Sequence, residues 1–305
     1  MKLAIAAGLE SDVEGQVQSV VDAEEDGFDG IWFAQIFGPD VLTVLALAAQ
    51  KTNRIELGTA IVPTYPRHPQ MLAQQALTVQ AASGGRFNLG IGPSHAPVVE
   101  VMWGLSYERP AVHTKEYLSV LLPLIREGRV SFSGEFFRVN ASVSVPIPKP
   151  LPILISALAP VMLRMAGEMA DGTITWMVGP KTLESHIVPR INAAAESAGR
   201  PRPRIVVSLP VAVTDDVVGA REHAARSFFV YGTLPNYRRM LDIEGVAGPA
   251  DVAIVGTEKE VEGQLRALAG AGATDFLAAS FPAGDDNETS LARTRTLLKG
   301  LVGTI

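Results

Sequence analysis

The chain has 305 residues, 47% of them hydrophobic and 19% charged, with a formal net charge of −6 and no cysteine. That length fills one large core or two modest ones, and the missing thiols exclude a disulfide framework, a thiolate metal site and a cysteine nucleophile. The acidic balance, with no dense Lys/Arg cluster, argues against nucleic acid, and no apolar run reaches the roughly 18 residues of a membrane span. The expected partner is therefore a small molecule, and the default location is the cytoplasm.

In chain order, Lys2–Ala7 reads as a short apolar strand. Ser11 and Glu14 have the spacing of a capping box, and Val13, Val17, Val20 and Val21 recur at helical spacing until Gly27. Gly30–Phe33 is a second strand. Pro39 opens a helix over Asp40–Ala49, with Leu42, Leu45, Ala46 and Ala49 inward. Ile55–Val62 is rich in apolar and β-branched residues and must stop at Pro63, because Pro63-Thr64-Tyr65-Pro66 cannot continue a central strand. A helix over Gln70–Ala82 and a Ser83-Gly84-Gly85 turn lead to the strand Arg86–Ile91, which runs into Gly92-Pro93-Ser94-His95. A parallel pair joined by a helix places both loops on one sheet edge, the edge at which α/β proteins bind ligands. One loop offers Arg67 and His68, the other Ser94 and His95.

The rhythm then pauses for a long helix over Tyr107–Gly128 and a hairpin over Ser131–Val139. It resumes with the strand Ile153–Ser156, a Met-rich helix Pro160–Met169, the strand Gly172–Trp176, a helix Pro180–Ala198 and the strand Arg204–Val213. Irregular helical material covers Asp216–Leu241. Thr257 and Glu260 form a second capping box, and the chain closes with the strand Asp275–Ala279 and a helix from Glu288 to Leu301. Eight strands with outer helices, in a length near the roughly 250 residues of a typical barrel plus insertions, predict a (β/α)8 TIM barrel. The expected organisation is one domain, 1–305, with insertions at about 97–150 and 216–250.

These residues resemble the luciferase-like monooxygenase superfamily, in its branch of coenzyme F-420 (deazaflavin) dependent oxidoreductases. The matching pieces are Gly27-Phe28-Asp29-Gly30-Ile31-Trp32, Leu57-Gly58-Thr59 with Arg67-His68-Pro69, Gly85–Gly92, Arg109-Pro110 with Glu116-Tyr117, Ala170-Asp171-Gly172, and Val255-Gly256-Thr257 with Glu260-Val261. The resemblance implies a barrel that binds flavin or deazaflavin at the C-terminal ends of its strands. It also implies a non-proline cis peptide between Ala60 and Ile61, and a homodimer that buries the helices after strands two and three. The coenzyme it implies is F-420, with flavin mononucleotide (FMN) as the alternative.

The residues themselves suit such a ligand. A planar ring needs an apolar slot, which Ala60, Ile61, Ala157 and Leu158 supply, with Trp176 at the end of strand six lining it. A phosphate-bearing tail needs amide donors, available from Gly92-Pro93-Ser94-His95 and from Ser156-Ala157-Leu158-Ala159 at a helix N-terminus. Each Gly-containing turn is also readable as simple chain reversal. Of the five histidines, His186 and His223 fall on outer helices and read as surface, and His113 reads as packing. His68 and His95 lie on rim loops, where each either contacts cofactor or substrate or makes a structural hydrogen bond. No histidine pair has metal-binding spacing, so no metal is expected, and Trp32, inside a strand, reads as core.

The chain departs from the resemblance at the end of strand two. Deazaflavin-dependent alcohol and sugar-phosphate dehydrogenases of the superfamily place an acid followed by His there, and this chain has Ala34-Gln35. Neither residue is a general base, so the expected direction is reduction of a substrate oriented by Gln35, Ser94 or His95. An FMN-dependent monooxygenase and a non-catalytic cofactor-binding barrel are the competing functions.

Overall fold

The computed structural model describes residues 1–8, 12–283 and 287–305. In chain order the strands are β1 Lys2–Ala6, β2 Gly30–Phe33, β3 Glu56–Thr59, β4 Val62–Pro63, β5 Phe87–Gly92, β6 Arg129–Ser133, β7 Arg138–Ser142, β8 Ile153–Ser156, β9 Gly172–Trp176, β10 Arg204–Val213, β11 Ile254–Gly256 and β12 Asp275–Ser280. The ring β1-β2-β3-β5-β8-β9-β10-β12 is parallel throughout, and the pairings of β10 with β9 and of β1 with β12 close it. This is an eight-stranded (β/α)8 TIM barrel. No helix among the described residues is long and apolar enough to cross a membrane.

Local chemistry sets the element ends. Asp12 caps the helix Val13–Glu25 by accepting from the Gly15 N–H at 2.7 Å, while the expected cap Ser11 lies outside the described residues. Val17 and Val20 of that helix are buried, but Val13 is 43% exposed at its first turn. Asp40 caps Val41–Ala49 through Thr43, and the Glu260 carboxylate reaches back to the Thr257 N–H at 2.8 Å as the capping-box spacing predicts.

The core has two layers. Phe28, Ile31, Phe33, Leu45 and their neighbours fill the space between strands and helices, whereas Ala4, Trp32, Leu154, Ile174, Val206 and Leu277 fill the barrel itself. Alternation along each strand makes this division, because Ile31 and Phe33 point out where Trp32 points in. The indole fits only because its neighbour on β3 is Gly58, where a Cβ would stand 2.2 Å from the ring. Below Trp32 the N-terminal mouth is plugged by Arg204, which donates to Asp275 (2.5 and 2.9 Å), Glu56 (2.7 Å) and Asn88 (3.0 Å), with Lys2 paired to Glu56.

Four features differ from the sequence reading. The expected strand Ile55–Val62 divides into β3 and β4 around Ala60–Ile61, whose peptide bond is cis, as the resemblance implies. The long helix, Pro110–Glu127, packs between Pro69–Ala82 and Pro160–Met169 and so belongs to the outer ring; the β6–β7 hairpin is the addition. The expected helix Pro180–Ala198 is broken, with a π-helical turn at Leu183–Ile187 before Val188–Ser197. Residues 217–252 hold the helices Val217–Ser227, Phe229–Thr233, Pro235–Glu244 and Pro249–Val252, and the unexpected strand β11 extends the sheet beside β10.

Candidate active site

The strand ends at the C-terminal mouth are built almost without charge. Among the described residues, Ala6–Gly8, Phe33–Gln35, Ala60–Tyr65, Gly92–Pro97, Ser156–Pro160, Trp176–Gly179 and Ala278–Ala283 contain no acid, lysine or arginine, and β10 alone of the barrel strands runs into acids, at Asp215 and Asp216. Ala6, Ala60 and Ile61 form the floor over Trp32. Gly92 lies between Ile61 and Ser156: a Cβ on Gly92 would stand 3.2 Å from Ile61 Cδ1 and 2.2 Å from Ser156 Oγ. A side chain at position 92 would therefore force the Ser156 hydroxyl to turn away. The Ser156 hydroxyl makes no hydrogen bond among the described residues, which leaves it free for a ligand.

The structure separates the expected site residues into two groups. Ala60, Ile61, Gly92, Pro93, Ser94, His95, Ser156 and Trp176 converge on the mouth. Ser94 has φ 62, and its carbonyl accepts from the Tyr107 hydroxyl at 3.0 Å, which fixes the loop while its own hydroxyl stays unpartnered among the described residues. His95 packs against Tyr237 with ring centroids 5.6 Å apart, and its ring makes no hydrogen bond among the described residues. Burial pulls its pKa below the ordinary histidine value, so the imidazole is neutral at pH 7 and offers one N–H and one lone pair.

Of the other expected residues, Gln35, Arg67 and His68 have their side chains engaged elsewhere, while Ala157, Leu158 and Ala159 form the loop that leads into the helix Pro160–Met169. Gln35 Oε1 accepts from the Val41 N–H at 3.0 Å and faces Arg67 at 3.4 Å, so it joins the end of β2 to the next helix instead of orienting a substrate through that oxygen. Arg67 is held by Asp40 and by Gln75 at 3.0 Å. His68 caps Pro69–Ala82, with Nδ1 accepting from the Gln70 N–H at 3.2 Å. Ala157 is buried, and the Leu158 carbonyl accepts from His186 Nε2 at 2.8 Å. His186 is thus buried and not on the surface: the π-helical turn rotates it inward, where it ties down the Ser156–Ala159 loop. Ala159 opens the helix Pro160–Met169 without a side-chain cap, so that N-terminus keeps its amides available.

Sequence reading missed the roof of the mouth. Phe228, Tyr231 and Tyr237 come from the helical segment between β10 and β11, and their rings form a chain. Tyr237 meets Tyr231 at 5.3 Å, Tyr231 meets Trp176 at 5.6 Å, and Trp176 meets Phe228 at 5.9 Å. The buried Trp176 N–H lacks a hydrogen bond of ordinary geometry, although the Tyr231 hydroxyl lies near enough that the indole partly offsets the upward push of burial on that phenol. Burial raises the Tyr237 phenol strongly, so it stays protonated. A hollow of about 180 Å³ lies at the ends of β1 and β2, lined by Ala7, Phe33, Ala34, Phe37, Val41 and the buried Gln16, whose Oε1 is unpartnered. Beside the rim, Tyr65 stacks on His113 with centroids 4.0 Å apart and planes 4° from parallel, and burial lowers His113 to about 4 against the opposing influence of Glu116.

Residues 3–275 match the family model described as luciferase-like monooxygenase. The chain belongs to this family. Among luciferase-like relatives, it is 31% identical over 256 residues to an uncharacterized protein of Mycobacterium tuberculosis, covering 78% of this chain and 75% of the relative. It is 29% identical over 280 residues to the 5,10-methylenetetrahydromethanopterin reductase of Methanolobus tindarius, covering 90% and 84%. Its fold matches the coenzyme F-420 dependent tetrahydromethanopterin reductase of Methanopyrus kandleri with a TM-score of 0.81 at 22% identity, over 100% of this chain and 98% of that one. It also matches the FMN-bound oxygenating constituent of a diketocamphane monooxygenase from Pseudomonas putida, with a TM-score of 0.77 at 17% identity, over 100% and 97%. The relatives and structural neighbours thus include F-420 dependent reductases and an FMN-bound monooxygenase constituent, and the chain has the barrel common to them.

Proposed function

We propose that this luciferase-like barrel is an F-420 dependent oxidoreductase that reduces a small organic substrate. The observation that carries this reading is the asymmetry of the mouth: Ala34 and the bound Gln35 stand where a base would be needed, while His95 and Ser94 keep hydrogen-bonding atoms free. Bound in the slot over Ala60 and Ile61, the reduced deazaflavin would supply the hydride. Ser156 and the Ser156–Ala159 amides, leading into the uncapped helix at Pro160, are the groups offered for its polar tail.

The remaining chemistry belongs to the chain. Hydride addition to an electron-poor C=C or C=O moves an electron pair onto oxygen, and a donor placed there lowers the barrier. The neutral His95 N–H and the Ser94 hydroxyl are such donors, and the final proton comes from water. The strand-two end offers no group to accept the proton that alcohol oxidation releases, which leaves that role to the lone pair of the neutral His95, so turnover is assayed in both directions. The helices Val41–Ala49 and Pro69–Ala82 expose Leu47 and Met71, which suits their burial in a homodimer; light scattering tests that assembly.

Fluorescence titration with F-420 and with FMN, followed by stopped-flow oxidation of the bound reduced cofactor, tests the function. Tighter binding of F-420 and turnover without oxygen are expected. Tighter binding of FMN with oxygen consumed would make the chain a monooxygenase, and tight binding without turnover on any acceptor would leave a non-catalytic barrel.

A further inference from the structure

The mouth described above has a rim with its own chemistry. Val101 and Met102, on the π-helical turn that follows His95, are 82% and 56% exposed, and Phe229 and Val230, on the turn beside Tyr231, are 68% and 54% exposed. The His95–Tyr237 ring contact joins the two segments that carry them. Two such lips of exposed apolar side chains, flanking a ring-lined mouth whose described strand ends carry no lysine or arginine, are unusual for a protein surface. Building on the hydride-transfer reading, we propose that the substrate is an electrically neutral, conjugated, largely apolar molecule of the aryl-enone class, held flat against the rings with its apolar end between the two lips.

Charge decides between this class and an anionic one. A carboxylate or phosphate on the substrate would lose its water at a mouth whose described strand ends offer no cation, and the neutral His95 does not replace one. A carbonyl costs far less to desolvate and finds the Ser94 hydroxyl and a His95 N–H as donors. Conjugation supplies a flat π-surface for Trp176, Tyr231 and Tyr237. The apolar end removes Val101 and Phe229 from water on binding.

Two probes of nearly equal size and opposite electrostatics test this: benzalacetone, a neutral aryl enone, and cinnamate, its anionic relative. Isothermal titration calorimetry on the whole chain, with and without F-420, should show benzalacetone binding at least about tenfold more tightly. Phe229→Lys and Val101→Lys change exposed positions that the fold does not need; each should weaken benzalacetone several-fold and strengthen cinnamate. Cinnamate binding equally well to the unaltered chain, or neither probe binding, would overturn the proposal. Light scattering showing an oligomer that Phe229→Lys dissolves would assign the lips to a second copy and overturn it as well. The F-420 titration keeps the two ideas apart. A chain that binds F-420 but prefers cinnamate loses only the substrate class, and one that binds benzalacetone but not F-420 loses only the cofactor.

Discussion

The two mouths of the barrel solve opposite problems with the same eight strands. At the N-terminal mouth, Lys2, Glu56, Asn88, Arg204 and Asp275 are paired with one another, and Arg204 also lies over the Trp32 ring at 5.5 Å. Burial alone would weaken the charge on Arg204, but Asp275 and Glu56 more than compensate and hold its pKa raised; Arg204 and Lys2 likewise outweigh burial and hold Glu56 lowered. At the C-terminal mouth the charged groups that pair, Arg67 with Asp40 and Arg293 with Asp215, stand to the side of the strand ends, and among the described residues Ser94, His95, Ser156 and Trp176 have polar atoms without ordinary partners. Completed hydrogen bonding marks the end that holds the barrel together, and incomplete hydrogen bonding marks the end prepared for a ligand.

The largest effect on stability is expected at Arg204. Arg204→Met would leave Asp275, which is 2% exposed, without its cation, and breaking a buried pair in this way costs about 3–5 kcal/mol. Urea unfolding should show that loss, while F-420 affinity of the folded fraction stays near its original value. A variant as stable as the parent would mean that the plug is not structural. The reverse pattern is expected at His95: His95→Ala should leave the unfolding midpoint nearly unchanged and slow single-turnover reduction about a hundredfold, the usual effect of losing one transition-state donor. An unchanged rate would return His95 to a packing role against Tyr237.

A pH titration sharpens the same contrast at the edge of the rim. His113 is neutral in the fold, with its pKa lowered to about 4, whereas the unfolded chain protonates it near the ordinary value of 6.5. The unfolded state therefore takes up more protons in that window, so stability is fully present above about 6.5 and is lost toward pH 4, by roughly 1.4 kcal/mol per pH unit at most. His113→Phe, among Tyr65, Phe136 and Phe137, should flatten that slope; an identical slope in both proteins would assign it to other groups. The smallest effect is expected at His68, where replacement by Asn preserves an N-cap acceptor. Stability should change by under about 0.5 kcal/mol and F-420 affinity should not change, whereas a large loss of affinity would bring His68 back into the site.

The barrel was legible because its strands and helices are written in repeating apolar patterns, and because caps such as Thr257 with Glu260 act within a few residues. Much of the site was not, because its decisive contacts join distant segments. Nothing around Gln35 in the sequence shows that its oxygen is taken by Val41 and approached by Arg67. His186 reads as surface under an α-helical register, and the π-helical turn at Leu183–Ile187 moves it inward onto the Leu158 carbonyl. Tyr237 and His95 meet across 142 positions of chain, so the aromatic roof is a property of the closed ring alone. The glycines were the exception. Gly58 lies within the expected strand Ile55–Val62 and Gly92 directly follows the expected strand Arg86–Ile91, and each is where another side chain comes within 2.2 Å of a missing Cβ.

Ring closure also determines where this protein is exposed to misassembly. Each of the eight barrel strands has a neighbour on both sides, so the barrel offers no open row of amides and carbonyls for another chain to extend. The antiparallel hairpin β6–β7 is different: it is a two-stranded sheet with both outer edges open. Its outward positions are Arg129, Ser131, Ser133, Arg138, Asn140 and Ser142, a row of polar and cationic side chains, while Val130, Phe132, Val139 and Ala141 turn inward. That alternation discourages edge-to-edge growth of fibrils at this small sheet, which stands outside the barrel; another edge among the described residues, β11, is only three residues long.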